Sequence, residues 1–139
     1  VTNCIFCEII DNKEPAYIIY QNKYTTAFLD INPVATGHIL VCPNEHIEKL
    51  NEIKHSSVSN ALMKSLIHVS DLLIQSGICT DYSILQANGE LADQDIKHLH
   101  FHIIPRHRND QVHFRLETDK VAALNDNLVC VQNLLLFNK

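Results

Sequence analysis

Lys97-His98-Leu99-His100-Phe101-His102-Ile103-Ile104-Pro105-Arg106 is the stretch on which the reading of the whole chain depends. Imidazole and apolar side chains alternate strictly from His98 to Ile103, and alternation over this length marks a half-buried β-strand. Successive strand side chains point to opposite faces, so His98, His100 and His102 share one face while Leu99, Phe101 and Ile103 take the other. The apolar face can join a core; the imidazole face must meet something else. At roughly 3.3 Å of rise per residue, neighbouring histidines stand about 6.6 Å apart and the outer two about 13 Å. One metal ion can then be shared by two neighbours at most, so the three rings must divide their tasks. Pro105 has no N–H for a ladder and is expected to end the strand.

The rest of the composition bounds what this strand can belong to. A chain of 139 residues suits one domain, 1–139, and can bury a core without disulfides. A hydrophobic share of 46% beside 19% charged is ordinary for a soluble globular protein. The formal net charge of −5 argues against non-specific attachment to nucleic acid or to an anionic membrane. No run approaches the roughly 18 apolar residues of a membrane span. Val1-Thr2-Asn3-Cys4 lacks the basic-then-apolar pattern of a secretory signal, so a cytoplasmic location is the expectation. Five cysteines cannot all pair internally, and reduced thiols fit that compartment.

Outward from the histidine strand, the remaining elements follow from periodicity. Cys4-Ile5-Phe6-Cys7-Glu8-Ile9-Ile10 has helical apolar spacing over two turns, and Pro15 bars its continuation. Cys4 and Cys7, three apart on such a turn, can aim both thiols at one point. Taken alone the pair fits a redox couple, half a zinc site or two small buried hydrophobes. Strands are expected at 16–20, 25–29, 38–42 and 82–87. Ser56 or Ser57 can cap a long helix with Val58, Leu62, Leu66, Val69 and Leu73 as its inward stripe, and Gly77 suits its left-handed end. His68 on that helix reads as incidental to any site. The loop 88–95 enters the histidine row and is placed to close over a ligand. A last amphipathic helix is expected over 126–137, facing inward through Leu128, Val131, Leu134 and Leu135. The sum is an α+β domain: an antiparallel sheet of about five strands covered on one face, one long helix and shorter terminal helices.

His98 to Ile104 reads His-φ-His-φ-His-φ-φ, and this resembles without mismatch the signature of the histidine triad (HIT) family of nucleotidyl hydrolases and transferases. Cys-Ile-Phe-Cys-Glu-Ile-Ile, Ala-Phe-Leu-Asp-Ile-Asn-Pro and Gly-His-Ile-Leu-Val are similar to further family blocks in family order, nearest to bacterial Hit and Hint-type proteins. The likeness covers roughly residues 4 to 106 and fades after about 110. It implies that His100 is the nucleophile at the α-phosphorus of a purine nucleotide conjugate, forming a nucleotidyl-histidine that water resolves. A neutral imidazole is suited to this, because it splits one hard displacement into two easier ones. His102 and His38 resemble the flanking histidines that contact phosphate and assist proton transfer. Asp30 matches the acceptor of the ribose hydroxyls, and Phe6, Ile9, Phe28 and Ile31 match the walls around the base. Gln94 and Asp95 fall in the family's phosphate loop. The likeness also implies a structural zinc held by Cys4, Cys7, His46 and His98, no metal needed for catalysis, and a homodimer.

Two features depart from the family pattern. The loop carries Asp93-Gln94-Asp95 where Gly-Gln followed by Ser or Thr is common, and Ala87 stands where an Asn or Gln amide is usual. Aspartates beside bound phosphate would add repulsion. The expected substrates are a nucleoside phosphoramidate, an acyl-nucleotide or a dinucleoside polyphosphate. Two other readings stay open: a nucleotide-binding regulatory protein with weak turnover, and a zinc hydrolase using His98 and His100 as ligands.

Overall fold

A computed structural model describes residues 3–116 and 128–137. Its elements are α1 (Ile5–Ile10), β1 (Ile18–Gln21), β2 (Thr25–Leu29), β3 (Ile39–Pro43), α2 (Ser56–Gln75), β4 (Asp81–Gln86), β5 (Phe101–Arg106) and α3 (Leu128–Phe137). The strands form one antiparallel sheet in the order β1-β2-β3-β5-β4, so the fold is α+β. Among the described residues no helix is long and apolar enough to cross a membrane.

Alternation along the strands sorts the core into two. Ala27, Ile39, Val41, Leu99 and Ile103 point to one face and pack on the stripe Val58, Leu62, Leu66, Val69 and Leu73 of α2. Phe28, Leu40 and Cys42 point to the other and pack on Cys4, Phe6 and Ile9 of the α1 segment. The sheet is thus covered on both faces, where the sequence suggested one. The α1 helix is short, but its apolar side is wide enough to close a second, smaller cluster. Thr25 Oγ1 lies 2.6 Å from Ser65 Oγ, a buried polar pair that ties β2 to α2.

Several expectations need correction. The regular strand β5 starts at Phe101, not Lys97. The Leu99 N–H donates to the Ile47 carbonyl at 2.6 Å, so the backbone over 98–100 follows the segment after β3 before it joins the ladder. The facing rule survives this, since Leu99 still enters the α2 core and His98 and His100 still meet Phe6. Pro105 lies inside β5 opposite Tyr82; pairing with β3 has stopped at Ile103, so no donor is required on that side. Helix α2 is capped by His55, whose carbonyl takes the Val58 and Ser59 amides, with Ser56 already helical and no side-chain cap. The left-handed turn at Gly77 (φ +77°) is as expected.

The terminal helix differs most. Leu128, Val131, Leu134 and Leu135 are all exposed, as are Val129, Leu136 and Phe137, so α3 packs no inward stripe among the described residues. Its only polar residues are Gln132 and Asn133. It is apolar nearly all round, and positions 126 and 127 of the expected helix lie outside the described residues.

Candidate active site

Register brings the histidines together. Leu40 pairs with His102 across β3 and β5, so His38, just before β3, reaches the His102 ring. Gly37 makes this entry possible: at φ +85° it turns the chain tightly, and a Cβ there would meet Ile78 Cγ2 at 3.0 Å. The Val34 amide can only donate, so His38 Nδ1, 3.2 Å away, must accept. The His38 proton is then on Nε2, which donates to His102 Nδ1 at 2.9 Å. By the same logic neutral His102 carries its proton on Nε2. One backbone amide therefore sets two tautomers in series.

His100 is set separately. Its Nδ1–H donates to the His98 carbonyl at 2.6 Å, which leaves the Nε2 lone pair free. Asp95 Oδ1 lies 3.4 Å from that Nε2. The Phe6 ring stands edge-on to the imidazole at 5.1 Å, fixing its plane. His100 and His102 both line a cavity of about 260 Å³ with Phe6, Ile9, Phe28, Asp30, Ile31 and Asp95. Phe6, Ile9 and Phe28 are buried while Ile31 is exposed at the rim. Asp30 uses Oδ1 to accept the Asn32 amide at 2.8 Å and holds Oδ2 3.6 Å from His38 Nε2.

Gln94 does not line this cavity. Its Oε1 accepts the Gly89 amide at 2.7 Å and its Nε2 donates to the Glu48 carbonyl at 2.8 Å, so both ends brace the loop. Asp93 is exposed and sits in a left-handed turn at φ +63°. Residues not singled out from sequence also line the cavity, among them Glu14, Ala16, Leu40 and Ile96. Leu40 was within reach, since strand alternation puts it on the His38 face; the others sit in loops without a periodic signal.

Burial and the neighbouring His100 and His38 rings push His102 down to about 4, and burial lowers His38 as well, against the pull of Asp30. Both rings are neutral at pH 7. The unfolded chain, with an ordinary value near 6.5, binds protons that folded His102 refuses between about pH 6.5 and 4. Stability therefore rises with pH through that window and falls as the solution is acidified. Allowing for partial exposure, urea unfolding should lose about 1–2 kcal/mol from His102 between pH 6.5 and 4.5. The loss should shrink by that amount in His102→Gln. An unchanged slope in the variant would remove His102 as its source.

A second constellation adjoins the first. Cys4 Sγ lies 3.4 Å from His98 Nδ1, Cys7 Sγ 3.6 Å from the same atom, and Cys7 Sγ 3.3 Å from His46 Nδ1. All four ligand atoms fall within 4.8 Å of one another. Tetrahedral zinc with sulfur near 2.3 Å and nitrogen near 2.05 Å requires S···N edges of about 3.5 Å, close to those found. The donor chemistry also fits: His98 Nε2–H donates to the Pro43 carbonyl at 2.8 Å, leaving Nδ1 as the lone-pair end. Burial and Cys4 push the Cys7 thiol up to about 11, so a thiolate there needs a cation.

Asp30, His38 and His102 also converge closely enough for a metal. Their tautomers oppose it. His38 Nε2 carries a proton because Val34 holds Nδ1, whereas the first quartet offers its lone pairs inward.

Fold and site together define an α+β protein with a histidine row opening on an apolar cavity and a Cys/His cluster bracing one end of that row. A profile described as HIT domain matches residues 11–109. Adenosine 5'-monophosphoramidase hnt1 of Schizosaccharomyces pombe is 38% identical over 104 residues, covering 75% of this chain and 74% of that protein. The crystal structure of a HIT family member from Bacillus subtilis superposes with a TM-score of 0.86 at 30% identity, over 96% of this chain and 94% of that one. A zinc-bound histidine triad family protein from Mycobacterium smegmatis does so at 0.73 and 27% identity, over 94% and 96%. The chain belongs to the histidine triad family.

Proposed function

We propose that the protein is a nucleotidyl hydrolase or transferase that cleaves at the α-phosphate of a nucleoside phosphoramidate, acyl-nucleotide or dinucleoside polyphosphate. The observation that carries this reading is the His100 tautomer: Nδ1–H is tied to the His98 carbonyl and the Nε2 lone pair is left at the cavity. In the first displacement Nε2 bonds to phosphorus as the bond to the leaving group breaks. The imidazole becomes cationic on phosphorylation, and the short Nδ1–H···O bond to His98 stabilises that charge. His102, donating from Nε2, serves a phosphate oxygen or the departing atom. Water then attacks phosphorus, the P–N bond breaks, and the nucleoside monophosphate leaves. Asp30 is proposed to accept the ribose hydroxyls, with Phe6, Ile9, Phe28 and Ile31 around the base. The phosphoramidase activity named for the fission-yeast relative supports this class of chemistry.

Cys4, Cys7, His46 and His98 are proposed to hold zinc in a closed, structural site. Zinc hydrolysis through His98 and His100 is disfavoured, because their Nδ1 atoms serve different partners, a thiol pair and a carbonyl. A regulatory protein that binds nucleotide and turns it over slowly remains a second reading, favoured by the Asp95 carboxylate facing the nucleophile. Incubation with adenosine 5'-phosphoramidate, following AMP release with and without chelator, separates these. Release that withstands chelator is the expected result. AMP binding without release would favour the regulatory reading, and absence of both would overturn the two together.

A further inference from the structure

We propose that Asp95 selects the leaving group by charge, so that conjugates with a cation near the α-phosphate react in preference to conjugates with an anion there. This rests on the hydrolase reading above and adds the substrate class. The loop that carries Asp95 is held rigidly. Gln94 bridges it to Gly89 and Glu48, and Asn88 Oδ1 accepts the Leu50 amide at 2.8 Å. The carboxylate is held too: Oδ1 accepts the Ile96 amide at 2.9 Å while standing 3.4 Å from His100 Nε2. A fixed negative charge therefore sits beside the atom that attacks phosphorus.

Asp95 also stands between two spaces. With Ile5 and Ile96 it lines both the 260 Å³ cavity of the histidines and a second cavity of about 490 Å³ beside the Cys/His cluster. A nucleoside in the first leaves the second as room for the leaving group, whose path passes this carboxylate. Glu48 and Lys97 also line the second space, but their charges are opposite and offset each other. Among the described residues that line both spaces, Asp95 is thus the charged one, beside apolar Ile5 and Ile96. Its side chain is 74% exposed, so solvent and salt weaken its reach without abolishing it. Between a positive and a negative leaving group of equal size, a discrimination of about tenfold to thirtyfold is expected at low ionic strength.

The test uses three AMP phosphoramidates of matched length, made from 1,3-diaminopropane, n-butylamine and β-alanine. These carry an ammonium, a methyl group and a carboxylate at the far end. The wild-type protein should give kcat/KM in the order ammonium, methyl, carboxylate. The ammonium-to-carboxylate ratio should fall toward one in Asp95→Asn and Asp95→Ser, and should shrink with added salt in the wild type. Removing the offsetting pair together, in Glu48→Gln/Lys97→Gln, should leave it within about twofold. Because the readout is a ratio on one protein, a change in overall rate in either Asp95 variant does not disturb it. Equal rates in the wild type, or a ratio that persists in both variants, would overturn this inference while the hydrolase reading stands. Silence on all three conjugates with AMP binding intact would overturn the hydrolase reading and this inference with it.

Discussion

His100→Ala should lower turnover of adenosine 5'-phosphoramidate by at least about a thousandfold, some 4 kcal/mol of transition-state stabilisation, while AMP affinity changes by less than about threefold. The asymmetry follows from where the groups lie. The cavity walls are Phe6, Ile9, Phe28 and Ile31, with Asp30 among its carboxylates; Phe6 touches the His100 ring but is also held edge-on to Phe28 at 5.2 Å. Only the Nε2 lone pair is lost to the chemistry. His100 is buried, and truncation to Ala also strands the His98 carbonyl, so the folded fraction must be measured alongside. His100→Asn is the companion variant, since its amide can still donate toward that carbonyl without offering a nucleophile. Quenching the reaction with labelled substrate should trap an acid-labile adduct on the wild type and on neither variant. Turnover by His100→Ala within tenfold of the wild type would sink the nucleophile assignment.

Much of this site is legible in the sequence because strand periodicity is a strict geometric rule. Once 98–103 is read as alternating, the division between Leu99, Ile103 and the α2 core on one side and the histidines on the other follows, and the structure has it. Thr25–Leu29 is found with the expected bounds, and all five stripe residues of α2 are buried, since a twenty-residue helix leaves little doubt about its apolar face. The Cys4, Cys7, His46 and His98 quartet converges as the family likeness implied.

What the sequence hides is mostly backbone. The groups that set the histidine tautomers are the Val34 amide and the His98 and Pro43 carbonyls; any residue supplies such a carbonyl and any but proline such an amide. Gln94 illustrates the converse. Its side chain invites a ligand role, yet both polar ends are taken by the loop it stabilises. Asp95 could be flagged as unusual, but not its distance to His100, which depends on the turn at Asp93 and the hydrogen bond to Ile96. For α3 the apolar spacing is compatible with an inward face, but Val129, Leu136 and Phe137 make the helix apolar on the remaining sides as well, and no face is buried among the described residues.

The second large effect concerns the metal. The purified protein should contain about one zinc per chain, and Cys4→Ala or His46→Ala should lose most of it. Structural zinc contributes its binding free energy directly to folding, which in small zinc-dependent peptides is essentially all of the stability. Here the α2 core is large and independent of the quartet, so the domain should stay folded and the loss should be partial. His98 decides the size. It is fully buried, its Nε2 satisfied by Pro43, and without a cation its Nδ1 is left facing only thiols. A loss of about 3–5 kcal/mol is expected, roughly 10–15 °C in Tm for a chain of this size. The damage should travel through the segment 98–100, because the His98 carbonyl also holds the His100 Nδ1–H. Turnover at a temperature well below the lowered Tm should therefore fall by about tenfold or less in His46→Ala, through loosened orientation. That differs from the total loss a zinc-dependent hydrolysis would show. Chelation of the wild type should likewise lower Tm before it lowers rate. Metal analysis finding no zinc in protein purified without chelator, with both N-terminal thiols freely reactive, would refute the site; rate loss preceding any loss of stability would make the metal catalytic.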